Sequence, residues 1–459
     1  MTGSRRVLVL LLAAAALVLG LPAAAGAQPA PPTRYEGTLP DGATWIADVP
    51  PEWNGTLLIY SHGYIPGPAN PPRNSPNEAT ADALLAWGYA LAGSSYSRAG
   101  WALATAADDQ LATLAEVQRL IGRPEHVIAF GTSMGGLVTG QLAERAGDRI
   151  DGALATCGLM VGGIDLHNAQ LDGLHALAQL LLPERPVKLV RFASFTEAVA
   201  TVSQLRAAVD QAQLTPQGRA RIALAAAYFH LPSWFPGLPK PAERDYQAQE
   251  FGQYRSMQDN SLFASPLFRY ETGRFDVEQS SGGNPSWNVG VDYGRLLAQS
   301  VNVEQMRSLY RQAGLDLRAD LDLLNGTADV APDLAAVQWM SRTSTLSGGL
   351  EMPVLTIHTT NDALAPVQFE QEYGEDVRQA TANHLLRRAY VDHPGHCAFT
   401  VAELVAGVET IRTRIERGHW ADLATAGSLQ ALAGSLALGD AAFVRFRPGE
   451  FGGDRALSR

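Results

Sequence analysis

Thr56-Leu57-Leu58-Ile59-Tyr60 is a nearly continuous apolar run, the pattern of a strand buried on both faces. Upstream, extended patterns over residues 35–39 and 44–49 flank Pro40-Asp41-Gly42, a turn signal that predicts a hairpin. Downstream the rhythm alternates: helices are predicted over 80–87, 104–121 and 134–144, and strands over 89–92, 127–130 and 150–155. Such alternation predicts an α/β fold, with a mostly parallel central sheet flanked by helices. It stops after Cys157. Residues 158–350 show helical periodicity broken by Pro, Gly and aromatic residues, and buried-strand patterns return at 354–358 and 385–391, before a helix over 401–417. The expected organisation is a core in two parts, 28–157 and 351–445. A mainly helical cap at 158–350 is inserted after the sixth strand, and a loosely held tail spans 446–459.

Residues 1–27 follow another pattern. Arg5 and Arg6 precede an apolar run over residues 7–21, and Ala25-Gly26-Ala27 offers a small-x-small cleavage pattern before Gln28. The run is short against the roughly 20 residues of a bilayer span. A cleaved signal peptide is therefore expected, leaving no stable membrane anchor and a secreted mature protein, or a periplasmic one in a Gram-negative host. Cleavage would remove two arginines and no acid, moving the formal net charge from −11 to −13. That acidic balance speaks against a nucleic-acid partner, and 46% hydrophobic residues against a disordered chain. In an oxidising compartment Cys157 and Cys397 are expected to pair, two buried thiols being the alternative.

The candidate chemistry lies where strands should end. Gly131-Thr132-Ser133-Met134-Gly135 follows a strand pattern and opens a helix, the setting in which G-x-S-x-G exposes a serine. With 44 glycines in the chain the motif alone is weak, and its context carries it. A nucleophile on so sharp a turn has a strained backbone, and neighbours without side chains let strand and helix approach. A serine needs a base, and the base an orienting acid. One late strand pattern runs into Asn361-Asp362, the other into Asp392-His393-Pro394-Gly395-His396-Cys397. This predicts a catalytic triad of Ser133, His396 and Asp362. His393, restricted by the proline after it, reads as structural; Asp392 is the competing acid to Asp362, but it is nearly adjacent to either histidine and reads first as a strand-end cap. After the first buried strand, Ser61-His62-Gly63-Tyr64 makes the backbone N–H groups of Tyr64 and Met134 the candidate oxyanion hole, with His62 a structural hydrogen-bonder.

With these residues, His62-Gly63-Tyr64, Gly131-Thr132-Ser133-Met134-Gly135, Asp362 and Gly395-His396, the chain resembles the α/β-hydrolase superfamily. More narrowly, it resembles secreted actinobacterial serine hydrolases and esterases with a large cap insertion. The resemblance covers about residues 35–157 and 351–420. It implies the α/β-hydrolase fold and a Ser–His–Asp triad with no metal or organic cofactor. His396-Cys397 is also similar to part of the tannase and feruloyl-esterase signature, in which cysteines beside the nucleophile and the histidine are bonded. This chain departs from that signature, with Thr132 before Ser133. A Cys157–Cys397 bond would instead brace the histidine loop from the next strand.

The activity expected first is hydrolysis of a carboxylic ester, from a small molecule or a polymer, through an acyl-enzyme. A peptidase or amidase with the same triad is the second reading, with Glu243, Asp245 or Glu250 as carboxylates for a substrate amine. A non-catalytic binding protein of this fold is the third. Tyr96 and Trp101, at a strand's C-terminal end, are candidate pocket walls, with ordinary packing the alternative. The aromatic, Pro-broken segment 228–236 reads as cap core or apolar lid. Asp316, Asp320 and Asp322 lack the glycine and glutamate of a calcium loop and read as a solvated helix face. Oligomeric state is not legible.

Overall fold

The computed structural model describes residues 30–259, 266–452 and 455; the expected signal segment, 1–27, lies outside them. The chain opens with the hairpin β1 (Thr33–Thr38) and β2 (Thr44–Val49), then β3 (Thr56–Ser61). Next come α1 (Glu78–Ala86), β4 (Ala90–Ser94), α2 (Ala106–Ile121) and β5 (His126–Thr132), and after them α3 (Met134–Ala143) and β6 (Gly152–Thr156). Among the described residues, nine helices follow before the next strand: α4 (Gly162–Leu181), α5 (Phe195–Gln213), α6 (Pro216–Tyr228), α7 (Tyr246–Met257), α8 (Pro266–Ser281), α9 (Tyr293–Gln299), α10 (Val303–Ala313), α11 (Leu317–Gly326) and α12 (Leu334–Thr343). The sheet resumes with β7 (Val354–Asn361), α13 (Phe369–Gln379), β8 (Leu386–Pro394), α14 (Val401–Arg417), α15 (Ala426–Ser435) and β9 (Phe443–Val444).

The nine strands among the described residues form one sheet in the order β1-β2-β4-β3-β5-β6-β7-β8-β9. The six strands from β4 to β8 pair in parallel, and antiparallel pairs close both ends. β3, β4 and β6 are buried at every position, as expected of strands covered on both faces. One hydrophobic cluster fills the α2–α3 face and draws in Leu166, Val277 and Met340 from the inserted helices. A second covers the α1–α14 face, and a third lies within the insertion, around α4, α6 and α10. No helix among the described residues is long and apolar enough to cross a membrane.

Two expectations are corrected. Asp320 is not on a solvated face: it is buried, accepting from Arg221 Nε (2.9 Å) and from the Tyr310 hydroxyl (2.9 Å). Nor is the segment after residue 446 loose throughout. Phe451 is 3% exposed and packs on Phe369 and His230, because an aromatic ring there closes the seam between sheet and insertion.

Candidate active site

Gly131 and Gly135 allow the turn that carries Ser133. A Cβ on Gly131 would fall 2.1 Å from the Gly135 carbonyl oxygen, and one on Gly135 would fall 1.9 Å from the Ser61 carbonyl oxygen. Ser133 sits between them with φ +61°, a strained value for a residue bearing a side chain. Its carbonyl accepts from Gly136 N–H (2.8 Å) as α3 begins, and its own N–H donates to the Thr156 carbonyl (3.0 Å) on β6. Gly63 closes on it from β3, since a Cβ there would lie 3.2 Å from the Ser133 Cβ.

The other two predicted residues arrive from neighbouring strand ends. His396 Nε2 lies 2.8 Å from Ser133 Oγ, and its Nδ1 lies 2.7 Å from Asp362 Oδ2. A carboxylate only accepts, so Nδ1 holds the proton and Nε2 accepts the serine O–H. The other Asp362 oxygen takes the N–H groups of Leu364 (2.8 Å) and Ala365 (2.9 Å). Burial alone would raise the Asp362 pKa; the positive field and hydrogen bond of His396, then His358, hold it below its ordinary value.

His358 was not singled out from the sequence. It is wholly buried on β7, with Nδ1 3.0 Å from Glu370 Oε1, Nε2 2.7 Å from the Ala365 carbonyl, and Asp362 3.7 Å away. Both ring nitrogens face oxygen acceptors. Burial would lower its pKa, but Glu370 and then Asp362 raise it. The available signal was an imidazole inside a buried-strand run.

Of the other loop residues, His393 makes a structural contact, whereas the Asp392 side chain pairs with side chains in place of the strand-end cap expected of it. His393 Nε2 donates to Glu403 Oε1 (2.9 Å), and Asp392 holds Lys240 Nζ (2.7 Å) and the Thr360 hydroxyl (3.1 Å). His62 contacts the Gly63 and Ser95 carbonyls at 2.7 and 3.2 Å. Cys157, just past β6, is disulfide-bonded to Cys397, next to His396. Among the described residues, the His/Cys/Asp/Glu group close enough to share a metal is Cys157, His396 and Cys397, and its two sulfurs are already bonded to each other.

Ser133 and His396 open into a cavity of about 550 Å³ beneath the inserted helices. Trp101 lines it, its indole N–H donating to Ser344 Oγ (3.0 Å). Tyr96 is not a wall residue: it is buried behind the loop that follows β3, stacked on His62 at 4.1 Å with its hydroxyl donating to the His62 carbonyl (2.9 Å). The segment 228–236 divides. Tyr228, Phe229 and Leu231 are core, whereas Pro232, Trp234, Phe235 and Pro236 line the cavity. Glu243, Asp245 and Glu250 do not line it; its carboxylate is Asp259. The backbone N–H of Met134 starts α3 and has no intrahelical acceptor, which leaves it open to an oxyanion.

This strand order, with a serine on the β5–α3 turn and an aspartate and a histidine after β7 and β8, is the α/β-hydrolase fold and defines a serine hydrolase. No family model matches the chain. It is 29% identical over 416 residues to a protein named o-phthalyl amidase from Xanthobacter agilis, across 84% of this chain and 88% of that one. Similar solved structures include an esterase from Aspergillus oryzae, 12% identical with a TM-score of 0.43, covering 84% of this chain and 80% of that one. Another is feruloyl esterase B from the same organism, 12% identical with a TM-score of 0.42, at 84% and 81% coverage.

Proposed function

We propose that this chain cleaves small-molecule carboxylic amides, and their more labile esters, through an acyl-enzyme on Ser133. The observation that carries the reading is the unbroken hydrogen-bond chain from Asp362 through His396 to Ser133, opening on a largely apolar cavity. His396 takes the Ser133 proton as Oγ attacks the carbonyl, and the Tyr64 and Met134 N–H groups hold the resulting oxyanion. His396 then protonates the leaving amine or alcohol, and a water activated by His396 releases the acid. Asp362 keeps the imidazole in the productive tautomer and balances its charge. The amide takes precedence over the ester expected first because the relative at 29% identity is named an amidase. The bulk of Trp101, Trp234 and Phe235 suits an aryl group.

Purified protein is to be assayed on aroyl 4-nitroanilides and on the matching 4-nitrophenyl esters. Both should turn over, and Ser133→Ala should remove about 10⁴–10⁶ of the rate. Ester cleavage with no anilide cleavage would overturn the amide reading. If Ser133 is not labelled by a fluorophosphonate, the nucleophile assignment fails. We also propose export with cleavage after Ala27, which the disulfide supports; a secreted protein beginning at Gln28 by mass is the expected observation.

A further inference from the structure

His358 stands on β7 behind the triad, its side chain wholly enclosed. Its two ring nitrogens meet groups that accept: Nδ1 lies 3.0 Å from Glu370 Oε1, and Nε2 lies 2.7 Å from the Ala365 carbonyl. A neutral imidazole has one N–H, so it would turn a bare lone pair toward one of these oxygens. A ring that donates at both ends carries a positive charge. Glu370 is equipped to hold that cation, because its other oxygen accepts from the Thr356 hydroxyl (2.5 Å), two positions back on the same face of β7. Thr356 and Glu370 are buried as well.

The charge is placed to act on Asp362. His358 Nε2 lies 3.7 Å from Asp362 Oδ2, the oxygen that also takes His396 Nδ1 at 2.7 Å, whereas Glu370 meets the ring at its other nitrogen. Ala365 joins the same pieces, its N–H donating to Asp362 Oδ1 (2.9 Å) and its carbonyl accepting from His358. Burial by itself favours a protonated carboxylate. His396 has to be neutral to take the serine proton, so in the resting enzyme it offers Asp362 a hydrogen bond without a full positive charge. His358 supplies a cation that does not depend on the catalytic cycle. Other groups face the pair from neighbouring elements. Arg388 on β8 donates to the Glu370 carbonyl and to Gln371 Oε1 (3.4 Å). Tyr390, opposite His358 in the β7–β8 register, and Tyr373 on α13 are phenols that burial pushes up, so both stay neutral.

We propose that His358 is a positioning residue: Glu370 holds it as an imidazolium, and that cation keeps Asp362 ionised and the turn 362–365 in place around it. The inference deepens the reading of Ser133, His396 and Asp362 as a triad and rests on that reading for its effect on the reaction.

Glu370→Gln tests the charge with little change of shape, since its amide oxygen can accept from Thr356 and its N–H can donate to His358 Nδ1. The ring then gives up its second proton. Labelling of Ser133 by a fluorophosphonate is to be followed from about pH 5 to 9 in the unaltered protein and the variant. A cation beside Asp362 opposes a proton on His396, and it is nearer than Glu370. Its loss should move the acid limb of the labelling rate to higher pH by about half a unit or more. The rate on the plateau should fall about threefold or more. A merely structural role would leave the limb where it is, and an unmoved limb overturns the proposal. Should Glu370→Gln fail to fold, His358→Gln decides by the same shift. Nitrogen-15 spectra of the histidine-labelled protein near pH 8 should show a ring holding both protons that Glu370→Gln, or His358→Gln, removes. Spectra without that loss place the proton on Glu370 and also overturn the proposal. If Ser133 in the unaltered protein is not labelled at any pH, the nucleophile reading fails alone, and the spectra decide the state of His358.

Discussion

Asp362 is wholly enclosed, yet its pKa lies below the ordinary value, so the site holds a buried negative charge for His396 to use. Asp362→Asn keeps the shape and removes that charge, and it lets the imidazole settle in the wrong tautomer. We expect kcat to fall by about 10⁴ with KM little changed, measured on the nitroanilides. A depressed carboxylate pKa stabilises the fold above the unfolded value of about 3.9, and that contribution is lost as pH falls through the folded value. Acid melts of Asp362→Asn should therefore depend less on pH below about 4 than those of the unaltered protein. Ser133, Asp362 and His396 were legible because each follows a strand pattern and stands in a local motif. His358 and Glu370 were not, because what marks them is burial against each other from separate elements, which no local motif shows.

Among the elements, β8 and the loop beyond it depend on a tie to β6. Gly395 N–H donates to the Asn361 carbonyl (2.8 Å) and the Thr359 hydroxyl to the Gly395 carbonyl (2.9 Å), while Cys397 is bonded to Cys157 across 240 positions. Replacing both cysteines with serine should destabilise the protein by about 2–4 kcal/mol in chemical denaturation. It should also lower kcat more than it raises KM, because the loop positions the base. On α8, Glu271 has neither carboxylate oxygen hydrogen-bonded to a described residue, and burial lifts it to about 8. Between about 4.5 and 8 the folded protein keeps a proton that the unfolded chain has lost, so stability falls as pH rises through that window. Glu271→Gln carries no such penalty: its melting temperature should match the unaltered protein near pH 4.5 and exceed it near pH 8.5. A constant difference across that range would refute the assignment. The helices of the insertion were legible as a class but not one by one. Polar residues such as Glu271 and Arg274 sit on their inward faces and blur the periodicity.

At the scale of the molecule the question is whether the insertion unfolds by itself. The absence of strands among its described residues and a cluster of its own suggest independence. The cluster on the α2–α3 face argues the reverse, for it mixes strand residues with Leu166 of α4, Val277 of α8, Met340 of α12 and Phe451 near the C-terminus. Phe451 stands at the seam, its ring 5.2 Å from Phe369 of the sheet half and 4.7 Å from His230 of the insertion. Sequence patterning hid this contact, because one aromatic residue among Gly, Pro and charged positions shows no period. Phe451→Ala removes a buried ring, and a loss of about 3–5 kcal/mol is expected. Calorimetry should show one transition in the unaltered protein and one transition, at lower temperature, in Phe451→Ala. Two resolved transitions in the unaltered protein would mean that the shared cluster does not couple the halves. In that case the cavity walls from α4 and α8 would be free to part from Ser133 before the sheet melts.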